Sequence, residues 1–150
     1  MSENTSEKKS KRTTIWDLFE TDPEKERNGV WIDFGNPETT GFKLLIARAG
    51  SHNERFNTRL RKLQEPYSRQ IRNDTLDDET GRELLRKAYS DTVLLGWEKV
   101  VDKDGKEIPY NPTNALRLMR EIPDFFDFVM NASTSMSHFR KDQIEENVKN

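Results

Sequence analysis

The chain has 150 residues and a mass of 17.6 kDa, the size of one ordinary domain. Hydrophobic residues make up 32% of it and charged residues 35%, so a core can form but must be thin. The absence of cysteine excludes a disulfide framework, and two histidines alone disfavour a zinc site. Because no apolar run approaches the roughly 20 residues that span a bilayer, and the start is polar, we expect neither a membrane segment nor a secretory signal.

The formal net charge of −2 conceals a basic block in the middle of the chain. Residues 43–73 carry 8 basic and 2 acidic side chains, a net charge of +6, between two acidic flanks. Such a block is typical of a surface for nucleic acid or an acidic protein. The alternative is that the acidic segments fold back on it and neutralise it internally.

The N-terminal third predicts a polar tail, a short helix and a hairpin. Residues 1–12 lack apolar periodicity and predict a disordered tail, and 13–150 predicts a single, mainly helical domain. Thr14 is expected to cap a short helix that carries Ile15, Trp16, Leu18 and Phe19. GVWIDFG (29–35) and GFKLLIARAG (41–50) alternate with a period of two, which predicts an antiparallel hairpin at about 29–50.

From Asn53 the period becomes helical. One predicted helix covers about 53–72, and Pro66 inside it should kink or split it. A capping-box pattern at Thr75–Asp78 predicts the start of a second helix, whose apolar face continues through Leu95 and Trp97.

The C-terminal third predicts a turn followed by helices. VVDKDGKEIPY (100–110) indicates two short extended pieces about an Asp104–Gly105 turn. Helices are then expected from Pro112, from Pro123 and from about Ser135. The predicted fold is mostly α with a small N-terminal β-hairpin, an α+β class in which helices pack on a two-stranded antiparallel element.

The motifs of common enzyme classes are missing from the sequence. The seven glycines are scattered, and none has the spacing of a phosphate-binding loop or a nucleophile elbow. Asp102–Gly105 resembles the start of a calcium loop, but its glycine and its twelfth position do not fit one. We therefore expect no enzymatic activity, no catalytic residue, no metal site and no cofactor.

Two groups of side chains are candidates for binding a protein. Phe125 and Phe126 lie about 100° apart on a helix, so the aromatic rings of this segment cannot all point the same way. At least one ring is expected either to be buried elsewhere or to await a partner. Core packing is an alternative for any single ring, while the rings together indicate an exposed apolar patch for a partner. The predicted apolar contacts are Trp97, Phe125, Phe126 and Phe128, and the predicted charged rim is Arg55, Arg59 and Arg69.

The order of segments resembles a family of phage proteins. GVWIDFG, FKLLIARAG and NERFNTRLRKLQEPYSRQIR, followed by TVLLGWEKVVDKDGKEIPYNPTNALRLMREIPDFFDFV, are similar to the tail assembly chaperone-type proteins of tailed bacteriophages. The resemblance covers about residues 29–150 and is one of overall pattern, because no catalytic motif defines the family.

The resemblance implies a role in building the phage tail. Such proteins bind the long helical tape measure protein, keep it soluble and help bring the major tail tube protein to it. It further implies that the chain acts in the cytoplasm of the bacterial host and is absent from the mature virion. The sequence leaves open a homo-oligomer, a structural tail or neck component that stays in the virion, and a nucleic-acid-binding protein, the last being disfavoured.

Overall fold

The computed structural model describes residues 11–50 and 52–141. Most of the predicted tail, and the predicted C-terminal helix beyond residue 141, lie outside the described residues. Where that helix was expected to begin, at about Ser135, the chain forms a 3₁₀ turn and not an α-helix. The strands are β1 (Val30–Phe34), β2 (Phe42–Ile46) and β3 (Leu94–Glu98). The α-helices are α1 (Ile15–Phe19), α2 (Pro23–Asn28), α3 (Glu54–Gln64), α4 (Ser68–Arg72), α5 (Asp78–Thr92), α6 (Pro112–Glu121) and α7 (Pro123–Thr134). Two 3₁₀ turns cover Glu65–Tyr67 and Met136–Phe139.

The predicted α+β class is confirmed, with one strand more than expected. β1 and β2 form the predicted antiparallel hairpin, which pairs Val30 with Ile46 and Phe34 with Phe42. The third strand, β3, pairs antiparallel with the other edge of β2, so the sheet order is β1-β2-β3. The helices therefore pack on a three-stranded sheet.

The prediction that the helix continues through Leu95 and Trp97 is wrong, because that helix ends at Thr92. Between β2 and β3 the register slips: Leu45 faces Gly96 and Ile46 faces Leu94, which leaves Leu95 as an extra residue. Such a bulge interrupts the period of two that marks a strand in sequence. As a result Leu94 and Trp97, three residues apart, are both buried and imitate one helical face.

Local signals placed most other boundaries correctly. The predicted break at Pro66 is confirmed, since α3 ends at Gln64 and a 3₁₀ turn precedes α4. Thr14 caps α1 as predicted, and Asn111 caps α6. The predicted capping box at Thr75 is wrong, because the cap of α5 is Asp77, whose side chain accepts a hydrogen bond from Thr80 N at 3.2 Å.

The core lies between the sheet and the C-terminal helices. α3 packs on α5, α5 on α6, α6 on α7, and α7 on β2. The largest fully buried side chains are Phe126, Phe139, Leu44, Ile46, Leu94 and Met119. Within the described part of the chain, no helix is both long enough and apolar enough to cross a membrane.

Candidate protein-binding site

An apolar groove of about 520 Å³ opens where the sheet meets α6 and α7. Buried side chains of the core, Leu44, Trp97 and Leu118, form part of its lining, so it is continuous with the core. The remaining apolar lining residues are Phe42, Val100, Val101, Ile108, Ile122 and Phe125. Charged side chains also line it, namely Asp102, Lys103, Asp104, Arg117 and Glu121. The groove offers an apolar partner a surface bordered by charge of both signs.

Trp97 is fixed in the groove by two contacts. Its indole Nε1 donates a hydrogen bond to the carbonyl of Ile108 at 2.7 Å, and its ring meets Tyr110 edge-to-face at a centroid distance of 5.1 Å. The Tyr110 hydroxyl donates in turn to the carbonyl of Leu94. Burial, with a smaller contribution from the charge of Asp91, raises the pKa of Tyr110 to about 12. The phenol therefore stays protonated and keeps donating at neutral pH.

The segment between β3 and α6, residues 99–111, forms one side of the groove, the wall. Backbone N–H groups of Asp102 and Ile108 donate to the carbonyls of Lys106 and Val100, both at 2.8 Å. The Asp102 side chain accepts from the backbone N–H groups of Asp104 and Lys106 at 2.9 Å each. These bonds close the predicted turn about Asp104–Gly105. The wall is thus held by its own backbone.

The four predicted aromatic contacts fall in different places. Trp97 and Phe125 line the groove. Phe128 lies outside that lining, but its ring meets Phe34 at 5.1 Å, and Phe34 stacks at 4.8 Å on the groove residue Phe42. Phe126 is fully buried, so the prediction that it contacts a partner is wrong: α7 packs on α6 and β2, and this ring turns into the core.

Phe126 is covered by a charged cluster whose arginines do not line the groove. The guanidinium groups of Arg82 and Arg86 lie 5.4 and 5.9 Å from the ring centroid. Glu83 accepts hydrogen bonds from Arg86 at 3.0 Å and from Arg120 Nε at 2.9 Å, which ties α5 to α6. These bonds, with that from Arg120 the stronger, lower the pKa of Glu83.

The predicted arginine rim does not surround the groove. Arg55 and Arg59 lie on α3, Arg69 lies on α4, and none of them lines the groove. Arg59 Nε pairs with Asp91 at 2.9 Å, so part of the basic block is neutralised internally. Among the described residues, Arg55 and Arg69 form no salt bridge. The charges that do border the groove come from the wall and α6.

Sequence reasoning missed two exposed groove residues and the exposure of α1. Val101 and Ile122 leave 48% and 49% of their surface to solvent at the mouth of the groove. A signal was present for both, since each is an apolar residue directly beside a turn or a helix boundary.

In the described residues, no cluster of three or more His, Asp or Glu could hold a metal ion.

Comparison with known families places this chain among phage proteins. The sequence profile described as "YdaY prophage protein" matches residues 51–150, two thirds of the chain. The chain belongs to the YdaY prophage protein family. The match includes the wall, α6 and α7, and so most of the groove, but not α1 or β2. No curated protein and no solved structure matches the chain.

Proposed function

We propose that this prophage protein is a tail assembly chaperone whose groove binds apolar helical segments of the tape measure protein. The observation that supports the proposal is an open apolar groove with a charged border on a small, highly charged protein. Amphipathic helices dock into such grooves by inserting side chains spaced three or four residues apart. The charged exterior would keep the complex soluble.

In this role the protein covers the apolar stripes of the tape measure until tail tube subunits replace it. The major tail tube protein would be the second partner, the site of action would be the host cytoplasm, and the virion would lack the chain. Release during assembly calls for weak contacts repeated along the tape measure. No step of this role requires catalysis.

The first test is co-expression with the tape measure protein of the same prophage. The wild-type chain should keep the tape measure in the soluble fraction, and Ile122→Glu should lose that effect because it places a charge at the mouth of the groove. Ile71→Glu is the matched control, because Ile71 is a similarly exposed isoleucine on α4, outside the groove lining. Equal loss in both variants, or no solubilisation by the wild type, would refute the proposal.

Mass spectrometry of purified particles separates the chaperone from a structural component. A chaperone should be absent from particles yet capture the tape measure in cell lysate. Stoichiometric presence in particles would make the chain a tail or neck component instead. A nucleic-acid-binding role would show itself as DNA or RNA affinity that falls steeply with salt concentration.

A further inference from the structure

We propose that the groove of one copy binds α1 of a second copy, so that the chains associate head to tail. The two surfaces are complementary in character, and one chain carries both of them. α1 supplies an apolar helix without a partner among the described residues, and the groove supplies an apolar surface of matching kind. This self-association does not require the tape measure protein.

α1 is apolar and entirely exposed. None of its residues is buried, and Ile15, Trp16, Leu18 and Phe19 expose 71%, 68%, 46% and 58% of their surface. At 100° per residue, these four side chains span about 160° of the helix circumference, and Asp17 lies on the opposite side. The segment is therefore an amphipathic turn whose apolar face is open to solvent.

The helical form of α1 needs an explanation, since isolated helices shorter than about 12–15 residues are marginal in water. A reciprocal capping box holds its first turn: Asp17 N donates to Thr14 Oγ1 at 3.0 Å, and Thr14 N donates to Asp17 Oδ2 at 2.9 Å. The box also lowers the pKa of Asp17. It fixes a conformation that presents the apolar face, which reduces the entropy lost on docking.

The groove of the same chain is out of reach for α1. Three residues after the end of α1, Asp22 N donates a hydrogen bond to the carbonyl of Phe139 at 2.7 Å. This bond anchors the C-terminal side of α1 to the 3₁₀ turn that follows α7. Groove residues Ile122 and Phe125 lie at the opposite, N-terminal end of α7. A twelve-residue helix spans about 18 Å, whereas five helical residues span about 7–8 Å. An α1 helix that enters this groove must therefore belong to another copy.

Charge around the two surfaces supports the pairing. Exposed Lys11 and Arg12 precede α1, and three carboxylates, Asp102, Asp104 and Glu121, border the groove. Asp17, on the polar side of α1, can pair with Lys103 at the groove border, where Arg117 already pairs with Glu121 at 3.6 Å.

Because the helix and the groove lie at opposite ends of α7, the contact is heterologous. A heterologous contact does not stop at two copies: it closes into a ring or continues as a filament. A symmetric dimer interface would instead use the same patch on both copies. The proposal thus makes a distinctive statement about stoichiometry, which sedimentation can measure.

The test is complementation between two variants of the purified full chain. Trp16→Ser/Phe19→Ser removes the helix face, and Ile122→Glu blocks the groove. Wild type should sediment as species larger than a dimer, and each variant alone should lose at least about 100-fold in association affinity. Their equimolar mixture should form a 1:1 heterodimer that grows no further, because only one helix and one groove remain competent. Ile71→Glu should associate like wild type.

Several results would overturn the proposal. These are a monomeric wild type, unchanged association of the α1 variant, and a mixture that fails to form the heterodimer although circular dichroism shows both variants folded. Removal of residues 142–150 should leave association intact, and loss of association would point to that segment instead. Since no tape measure protein is present, the result is independent of the chaperone proposal. The α1 variant, with its groove free, should still solubilise the tape measure if that proposal holds.

Discussion

Two short aromatic segments of this chain are alike in composition and opposite in environment. α1 (IWDLF) exposes every apolar side chain, whereas residues 124–128 (DFFDF) bury Phe126, place Phe125 in the groove and leave Phe128 partly exposed. α1 begins with a capping box and α7 with a proline at its first position, and both segments carry an acidic residue among the rings. Sequence alone therefore does not distinguish them.

The difference comes from what each helix lies against. α7 packs on α6 and β2, so one of its faces is committed to the core. α1 has none of its residues buried, since the chain turns away into the loop that precedes α2. Residue type thus gives a tendency to be buried, while the neighbouring elements decide whether burial occurs. Substitutions in and around the two segments test this difference.

The largest effect is expected from Phe126→Ala. Removing a fully buried ring should lower the free energy of unfolding by about 3–5 kcal/mol, measured by urea denaturation. Phe128→Ala is the control in the same helix and should cost clearly less, because Phe128 is partly exposed. Equal losses would show that the two rings share one environment.

Glu83→Gln should have the next largest effect, because it removes the negative charge and one of the two acceptor oxygens that join Arg86 and Arg120 over Phe126. Hydrogen bonds to charged groups contribute about 1.5–3 kcal/mol. Because the pKa of Glu83 is lowered in the folded chain, its ionised form stabilises the fold, and this stabilisation depends on pH. The contribution is present above the ordinary carboxyl pKa and disappears as pH falls through the lowered value.

Urea denaturation at a series of acidic pH values checks this expectation. The wild type should lose stability on acidification more steeply than Glu83→Gln. Glu79→Gln is the control, since Glu79 also bonds Arg86 but is mostly exposed and does not bond Arg120. Parallel pH profiles for wild type and Glu83→Gln would contradict the assignment.

Tyr110→Phe tests the support behind the groove and should cost about 1 kcal/mol near neutral pH. Burial raises the pKa of Tyr110 from 10.0 to about 12, so its contribution is complete below pH 10 and is lost as pH rises toward 12. The variant should show a smaller alkaline decrease in stability than wild type. The alkaline decrease in stability that remains in the variant would come from Tyr89, because burial also raises the pKa of Tyr89. An unchanged alkaline profile would contradict this.

The smallest effect on stability is expected from Phe19→Ser. At concentrations low enough to keep the chain monomeric, the free energy of unfolding should change by no more than about 0.5 kcal/mol, as for other surface substitutions. A loss above about 1 kcal/mol would mean that α1 packs on its own chain. That result would remove the contrast between α1 and α7.

Much of the fold followed from local signals. Helix boundaries were marked by three prolines, Pro66, Pro112 and Pro123, because proline lacks a backbone N–H donor and has a fixed φ angle. The alternation in β1 and β2 predicted the hairpin. β3 could not be predicted, because its bulge at Leu95 disturbs the alternation and its hydrogen-bond partner, β2, lies about 50 residues away in the chain.

The candidate site was predictable in its residue types but not in its assembly. Trp97 and Phe125 were predicted as apolar contacts and do line the groove, but Arg55, Arg59 and Arg69 lie elsewhere. Their spacing places them on the polar face of a helix and says nothing about what lies across from that face. The charged residues that do line the groove belong to the wall and α6, because the chain leaves β3 at that edge of the sheet.

By itself, then, the sequence determined the class of fold, most helix boundaries and the presence of more aromatic rings than one helix face can bury. These properties depend on periodicity and on residues close together in the chain. Tertiary structure alone decided which ring is buried, where the groove opens and that α1 is left uncovered. Each of those depends on contacts between distant segments, and a linear pattern of polar and apolar residues does not specify which segments meet.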